Sequence, residues 1–308
     1  MRTRRLLTVL TYHRVERRGV RPELDPALVS AEPEEFERHV GWLARRTNPI
    51  SLVELVDVKR GLACLPARAV LVTFDDAYRD FAVHAWPILR RHAVPVALFV
   101  PTGYPAHDLR CFWWDRLHAA LWRTPRLDPI DTPAGRLSLA TDDDRRRAHR
   151  ALARWVADAP HDDAMASVEL ICTSLGEPET ASPLLDWDEL RALAREGVTL
   201  APHTRTHPRL DRVSLSRARD EIAGSRDDLA REIPGAVPPA IALPGGGHQA
   251  GLGRILTEEG FELAFTTRRG PNLLPRADWL RLRRSNVGRR TTLPVLKAQL
   301  APWALPAV

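Results

Sequence analysis

Asp75-Asp76 closes an apolar run, Ala69-Val70-Leu71-Val72-Thr73-Phe74. Two adjacent carboxylates repel each other, and a strand end that feeds a core is a costly place to strip them of water. A divalent cation would relieve that penalty: one carboxylate would bind the ion while the other takes a proton from the attacking water. The packing alternative is that the pair opens a loop, with Asp76 capping a helix that starts near Tyr78. A second group is His203-Thr204-Arg205-Thr206-His207. Histidines at i and i+4 share one face of a helical turn, close enough to chelate one ion. Imidazole suits zinc and other first-row divalent metals. With one carboxylate added there are three protein ligands and room for water, the pattern of a catalytic rather than a structural site.

Elements must bring these residues together. Leu6 to Tyr12 reads as a buried strand ending at His13, and Ala69 to Phe74 as the strand carrying the Asp pair. Val94 to Val100, Val198 to Ala201, Ala240 to Leu243, Leu263 to Thr267 and Leu280 to Val287 read as further strands. Helical spacing or caps mark 34–46, 51–60, 78–92 (with Pro87 a candidate kink), 187–195, 214–233 and 252–259. Asp186-Trp187-Asp188-Glu189 is a capping box. From Pro101 to Pro183 the strand–helix rhythm lapses into helices near 113–123, 142–157 and 162–175, with a short hairpin turning at Pro133-Ala134-Gly135. The expected organisation is a barrel over 1–104 and 184–300, a helical insertion or cap over 105–183, and a loose tail over 301–308. His13, Asp75, Asp76, His203 and Gly245 all sit at strand C-terminal ends, which share one face in a β/α barrel.

Composition narrows the function classes. The net charge is +6, and Lys59 and Lys297 are the only lysines. The arginines are spread along the chain and interleaved with acids, which argues against nucleic-acid binding and leaves an anionic membrane or a lipid-linked glycan as peripheral partners. No obligate protein partner is evident. Cys64, Cys111 and Cys172 are far apart and odd in number, which argues against a disulfide framework or thiolate zinc site. No apolar stretch approaches the ~20 residues of a membrane helix. The apolar segment Leu6 to Leu10 is shorter than a secretory core, so the expected location is cytoplasmic, or at the inner face of a membrane.

Leu10-Thr11-Tyr12-His13-Arg14-Val15, Thr73-Phe74-Asp75-Asp76-Ala77-Tyr78, His203-Thr204-Arg205-Thr206-His207 and Leu243-Pro244-Gly245-Gly246 come in the order and spacing of the polysaccharide deacetylases. In these motifs the chain resembles that NodB-homology, carbohydrate esterase family 4 group over most of its length outside the insertion. The resemblance implies a distorted (β/α)7 barrel and a metal-dependent hydrolase that removes acetyl from an N-acetylhexosamine in a glycan or glycan precursor. It implies zinc, with cobalt or nickel as alternatives. Position by position, Asp75 matches the general base, Asp76, His203 and His207 the metal ligands, and the Gly245 N–H an oxyanion donor. A C-terminal Leu-x-His acid is missing; His13 matches the N-terminal Tyr-His acid of a subset. Ala77 stands where glycine is usual, Gly245 where an aromatic is usual, and Ala242 where an arginine usually buttresses the base. Leu282-Arg283-Arg284 offers Arg284 as a substitute cation, with Arg281 and Arg283 as competitors. His248 reads as a solvated loop residue, and Trp113 and Trp114 as hydrophobic anchors rather than sugar platforms. Two other functions fit the same residues: hydrolysis of a non-sugar amide or O-acetyl ester, and glycan binding without catalysis.

Overall fold

The computed structural model describes residues 6–22, 24–106, 111–176, 182–235 and 237–301. Four apolar runs become parallel neighbours in the order β1 (Leu6–Tyr12), β2 (Ala69–Asp75), β3 (Val96–Val100) and β4 (Thr199–Pro202). Every residue of β2 and β3 is buried. Both faces are covered, which is why these strands read as continuous apolar runs without alternation. Next come β5 (Ala240–Ala242) and β6 (Leu263–Phe265), parallel to each other. Phe265 bridges Leu282 in parallel, and β7 (Ser285–Asn286) returns to pair with β1 at Leu10 and Thr11. These seven segments make the expected distorted (β/α)7 barrel. Among the described residues no ladder joins β4 to β5; a side chain, His203, spans that seam.

Period-2 alternation decides which side chains face the barrel interior. Leu7 and Val9 of β1, Leu71 of β2, Ala97 and Phe99 of β3, and Ala242 and Phe265 pack into one cluster. The intervening Leu10, Tyr12, Val72, Phe74, Leu98 and Val100 pack outward against helices in another. By the same register Thr11, Thr73 and Asp75 point inward, so the first acid of the pair ends β2 inside the barrel.

The helices are set by local signals. α1 (Pro33–Arg46) starts on a proline, and α2 (Leu52–Arg60) has a complete Ser51–Glu54 capping box and stops at left-handed Gly61. The helix expected over 78–92 is not uniform: Phe81–Ala85 is a widened π turn, followed by α3 (Trp86–Arg91). Pro87 lacks the N–H that would close a normal turn and its ring crowds the preceding carbonyls, so the turn widens where a kink was expected. The expected strand Leu280 to Val287 is also broken. Trp279–Arg281 is a 3-10 turn with the Asp278 side chain accepting from the Leu280 N–H, and only Ser285–Asn286 remains a strand.

A second compact unit comprises residues 18–26 and 110–183. It holds α4 (Trp113–Arg123), α5 (Asp142–Asp158) and α6 (His161–Ser174), with a hairpin of Ile130–Thr132 and Gly135–Leu137. Its core includes Leu117, Leu121, Leu152, Val168 and Cys172, with Trp113 packed on that cluster. Residues 18–26 were not expected here. The Asp25 N–H donates to Asp115, and His118 donates to the Pro22 carbonyl. Buried Arg145 donates to the backbone carbonyls of Leu139 and Thr124, which ties the loops to α5.

In the barrel unit follow α7 (Trp187–Arg195), with its capping box formed as expected, α8 (Leu215–Glu232), α9 (Leu252–Glu258) and α10 (Leu293–Gln299). The sequence reading did not include α10, and most of the expected tail lies outside the described residues. No helix among the described residues is long and apolar enough to cross a membrane.

Candidate active site

Asp75 ends β2 and is buried, with 3% of its surface exposed. Arg284 reaches it from the strand segment leading into β7. The Arg284 guanidinium donates to both carboxylate oxygens at 2.8 Å each, and its Nε donates to the Thr266 carbonyl at 3.1 Å. Among the competing cations, Arg283 instead donates to the Arg269 carbonyl, and Arg281 to His248. Burial pushes the Asp75 pKa up, but the Arg284 charge, then His203 and His13, outweigh it and hold the carboxyl below its ordinary value.

Asp76 turns the chain away from β2 in a left-handed conformation, φ 75°, and Ala77 follows at φ 53°. These two positive φ values swing the second carboxylate across to the next loop rather than onto a helix. The capping alternative is therefore absent: Asp76 Oδ1 is buried with no hydrogen-bond partner among the described residues. Its nearest polar neighbours are His207 Nε2 at 3.3 Å and His203 Nε2 at 3.6 Å. Burial opposes ionisation of Asp76, yet His207 and then His13 and His203 hold its pKa far down.

His203 and His207 do converge, but not by the expected helical turn. The segment after β4 is an irregular loop with left-handed Thr204 (φ 64°) and His207 (φ 60°), and it brings the two rings to a centroid distance of 4.8 Å. His203 Nδ1 donates to the Ala242 carbonyl at 2.8 Å, across the β4–β5 seam. That bond sets the tautomer and leaves Nε2 as the free lone pair. Burial lowers the His203 pKa to about 4, against the pull of Asp75, so the ring is neutral at ordinary pH.

One ligand atom from each of Asp76, His203 and His207 lies within 4.8 Å of the others. The orphaned carboxylate oxygen, the two imidazoles and the pinned His203 tautomer together fit a divalent transition-metal ion. His13 follows β1 directly. Its N–H donates to Ser30 Oγ at 2.9 Å, and its imidazole is one of the charges depressing both aspartates. Gly245 stands exposed on the turn after Ala242, left-handed at φ 58°. His248 is half-buried against Arg281 rather than solvated.

Sequence reasoning missed two supports. Buried Glu221 of α8 accepts from the N–H groups of Arg205 and Thr206 at 2.9 and 2.8 Å and from Thr206 Oγ1 at 2.6 Å. Buried Asp228 accepts from Thr102 Oγ1 and Arg205 Nε, each at 2.8 Å. Both acids lie on the buried stripe of α8 with Ile222, Ser225 and Leu229, so acids on an otherwise apolar helix face were the available signal. The other support is the Arg14–Asp80 pair, 2.7 Å and buried, which ties the residue after His13 to the turn after the Asp pair.

A family model described as polysaccharide deacetylase matches residues 63–264. The chain belongs to the polysaccharide deacetylase family. Over 95 residues it is 32% identical to the poly-beta-1,6-N-acetyl-D-glucosamine N-deacetylase of Escherichia coli K12, a match covering 30% of this chain and 13% of that protein. Among solved structures of polysaccharide deacetylases and their relatives, the fold resembles Streptococcus pyogenes deacetylase PplD in complex with acetate (TM-score 0.65, 17% identity, covering 96% of this chain and 99% of that one). It also resembles IcaB from Ammonifex degensii (TM-score 0.60, 18% identity, covering 96% and 97%). At these identities the two structures establish the barrel.

Proposed function

We propose that this polysaccharide deacetylase family member hydrolyses the N-acetyl group of an N-acetylhexosamine in a glycan or glycan precursor, using a metal held by Asp76, His203 and His207. The observation that carries this is the buried, unpartnered Asp76 oxygen facing two imidazoles, one residue from a carboxylate held ionised by Arg284. The ligand set suits zinc, with cobalt and nickel as alternatives. The ion would supply a Lewis acid for the amide carbonyl and lower the pKa of water toward ~7.

The chain's own groups divide the remaining work. Asp75, ionised and oriented by the Arg284 fork, accepts the proton of the attacking water. Arg284 meets both oxygens of Asp75 with its planar fork and so orients the carboxylate. The Gly245 N–H faces the oxyanion that develops on the acetyl carbonyl. His13 gives a proton to the departing sugar amine. The buttons of backbone hydrogen bonding from Glu221 and the Ala242 carbonyl keep both imidazoles in place while the substrate changes charge.

Purified protein loaded with zinc or cobalt should release acetate from a chitooligosaccharide, and Asp75→Asn should stop it. Acetate release untouched by that substitution would sink the mechanism.

A further inference from the structure

The mouth of the candidate site is cationic on one side. Residues 266–270 after β6 and 287–292 after β7 contain Arg268, Arg269, Arg289 and Arg290 and no acid. All four arginines are exposed, and none has a carboxylate partner among the described residues. Backbone bonds place both loops at the catalytic rim. The Arg284 N–H donates to the Arg268 carbonyl at 2.9 Å, so the Arg268 backbone lies directly beside that of the residue that grips Asp75. The Val287 N–H donates to the Thr11 carbonyl at 2.8 Å, so Arg289 and Arg290 leave the barrel beside Tyr12 and His13.

A second observation comes from the β5 turn. A β-carbon on Gly245 would lie 3.2 Å from Arg209 Cγ, so the stem of Arg209, two residues past His207, covers the bare turn. That edge of the site therefore carries a guanidinium too, shared with Asp211. The four rim arginines sit on the loops around the chemistry, where their mutual repulsion is relieved by an anionic ligand.

We propose that the substrate is a phosphate-bearing saccharide: an N-acetylhexosamine whose chain or carrier places a phosphate oxyanion against Arg268-Arg269 and Arg289-Arg290. Neutral sugar hydroxyls need no such charge, whereas guanidinium forks match phosphate oxygens in pairs. This rests on the deacetylase reading of the site and adds the class of substrate.

The test compares two probes on the metal-loaded protein: N-acetylchitotetraose and the same oligosaccharide with a reducing-end 1-phosphate. Binding is measured by calorimetry and turnover by acetate release. The phosphorylated probe should bind about tenfold more tightly at low salt, and the advantage should shrink as salt rises. The Arg268→Gln/Arg269→Gln variant should lower the ratio between the probes. Arg150→Gln/Arg154→Gln, which removes the same charge from exposed sites on α5, should keep it. Equal binding of the two probes overturns the proposal, as does a ratio that both variants lower alike. Binding to anionic phospholipid vesicles without preference for the phosphorylated probe also overturns it, in favour of a membrane surface. Preferential binding with no acetate released from either probe sustains the phosphate site and fails the deacetylase reading instead.

Discussion

Replacing Arg284 with methionine leaves Asp75 buried without its counter-ion. The pair is 3% exposed on both sides and doubly hydrogen-bonded at 2.8 Å. Breaking such a pair from one side costs about 3–5 kcal/mol, because the surviving charge stays desolvated. Loss of the bond from Nε to the Thr266 carbonyl adds about 1 kcal/mol. The effect depends on pH with a definite sign. In the wild type the Asp75 pKa is depressed, so its stabilisation is present above the ordinary carboxylate value and lost only as pH falls through the lower folded value. In the variant, burial is no longer outweighed by the guanidinium, so the pKa moves up and the penalty disappears as pH falls through it. Urea unfolding of the metal-free proteins at pH 7 and at about pH 4 should show the gap narrowing at the acid end. Asp75→Asn combined with Arg284→Met should recover much of the loss, because no unpaired charge remains. A gap under about 1 kcal/mol at pH 7, or one that is equal at both pH values, would refute the account of Arg284 as the counter-ion of Asp75.

Other outcomes follow from the same geometry. Glu221→Gln removes the charge that collects the Arg205 and Thr206 N–H groups, and should weaken zinc affinity about 10–100-fold in a chelator competition while circular dichroism stays unchanged. His203 titrates near pH 4 in the folded protein and near 6.5 when unfolded; metal-free protein should therefore lose up to about 3 kcal/mol as pH falls through that window, and His203→Gln should flatten the slope. Ala77 holds a left-handed φ of 53° with a β-carbon, so Ala77→Gly should raise the unfolding midpoint by the equivalent of about 0.5–1 kcal/mol; a lower midpoint would show that the turn carries no strain.

Much of the site was legible because its chemistry demands rare residue combinations. An Asp pair at a buried strand end and a His-x-x-x-His after another strand are improbable as packing, and both lie where expected. The register argument extends this: once Val70, Val72 and Phe74 face the helices, Asp75 must face the barrel interior. The capping boxes of α2 and α7 were legible for a similar reason, since their bonds span only three residues.

What the sequence alone left open depends on long-range closure. Arg281, Arg283 and Arg284 are nearly equivalent as letters; only the return of β7 to β1 and the bridge from Phe265 to Leu282 aim Arg284 at Asp75, 209 positions away in the chain. Helical spacing put the two histidines together, but the route by which they meet is different. They converge through left-handed Thr204 and His207, a conformation that needs the Glu221 carboxylate to collect the loop's N–H groups. The inclusion of residues 18–26 in the second unit likewise is long-range, with Asp25 and Pro22 bonded to Asp115 and His118 some 90 positions on. Local composition determined which groups could bind a metal and move a proton, because strand burial and capping act over a few residues. Tertiary structure decided which cation holds Asp75 and which carbonyl orients His203, because those contacts exist only once the barrel closes.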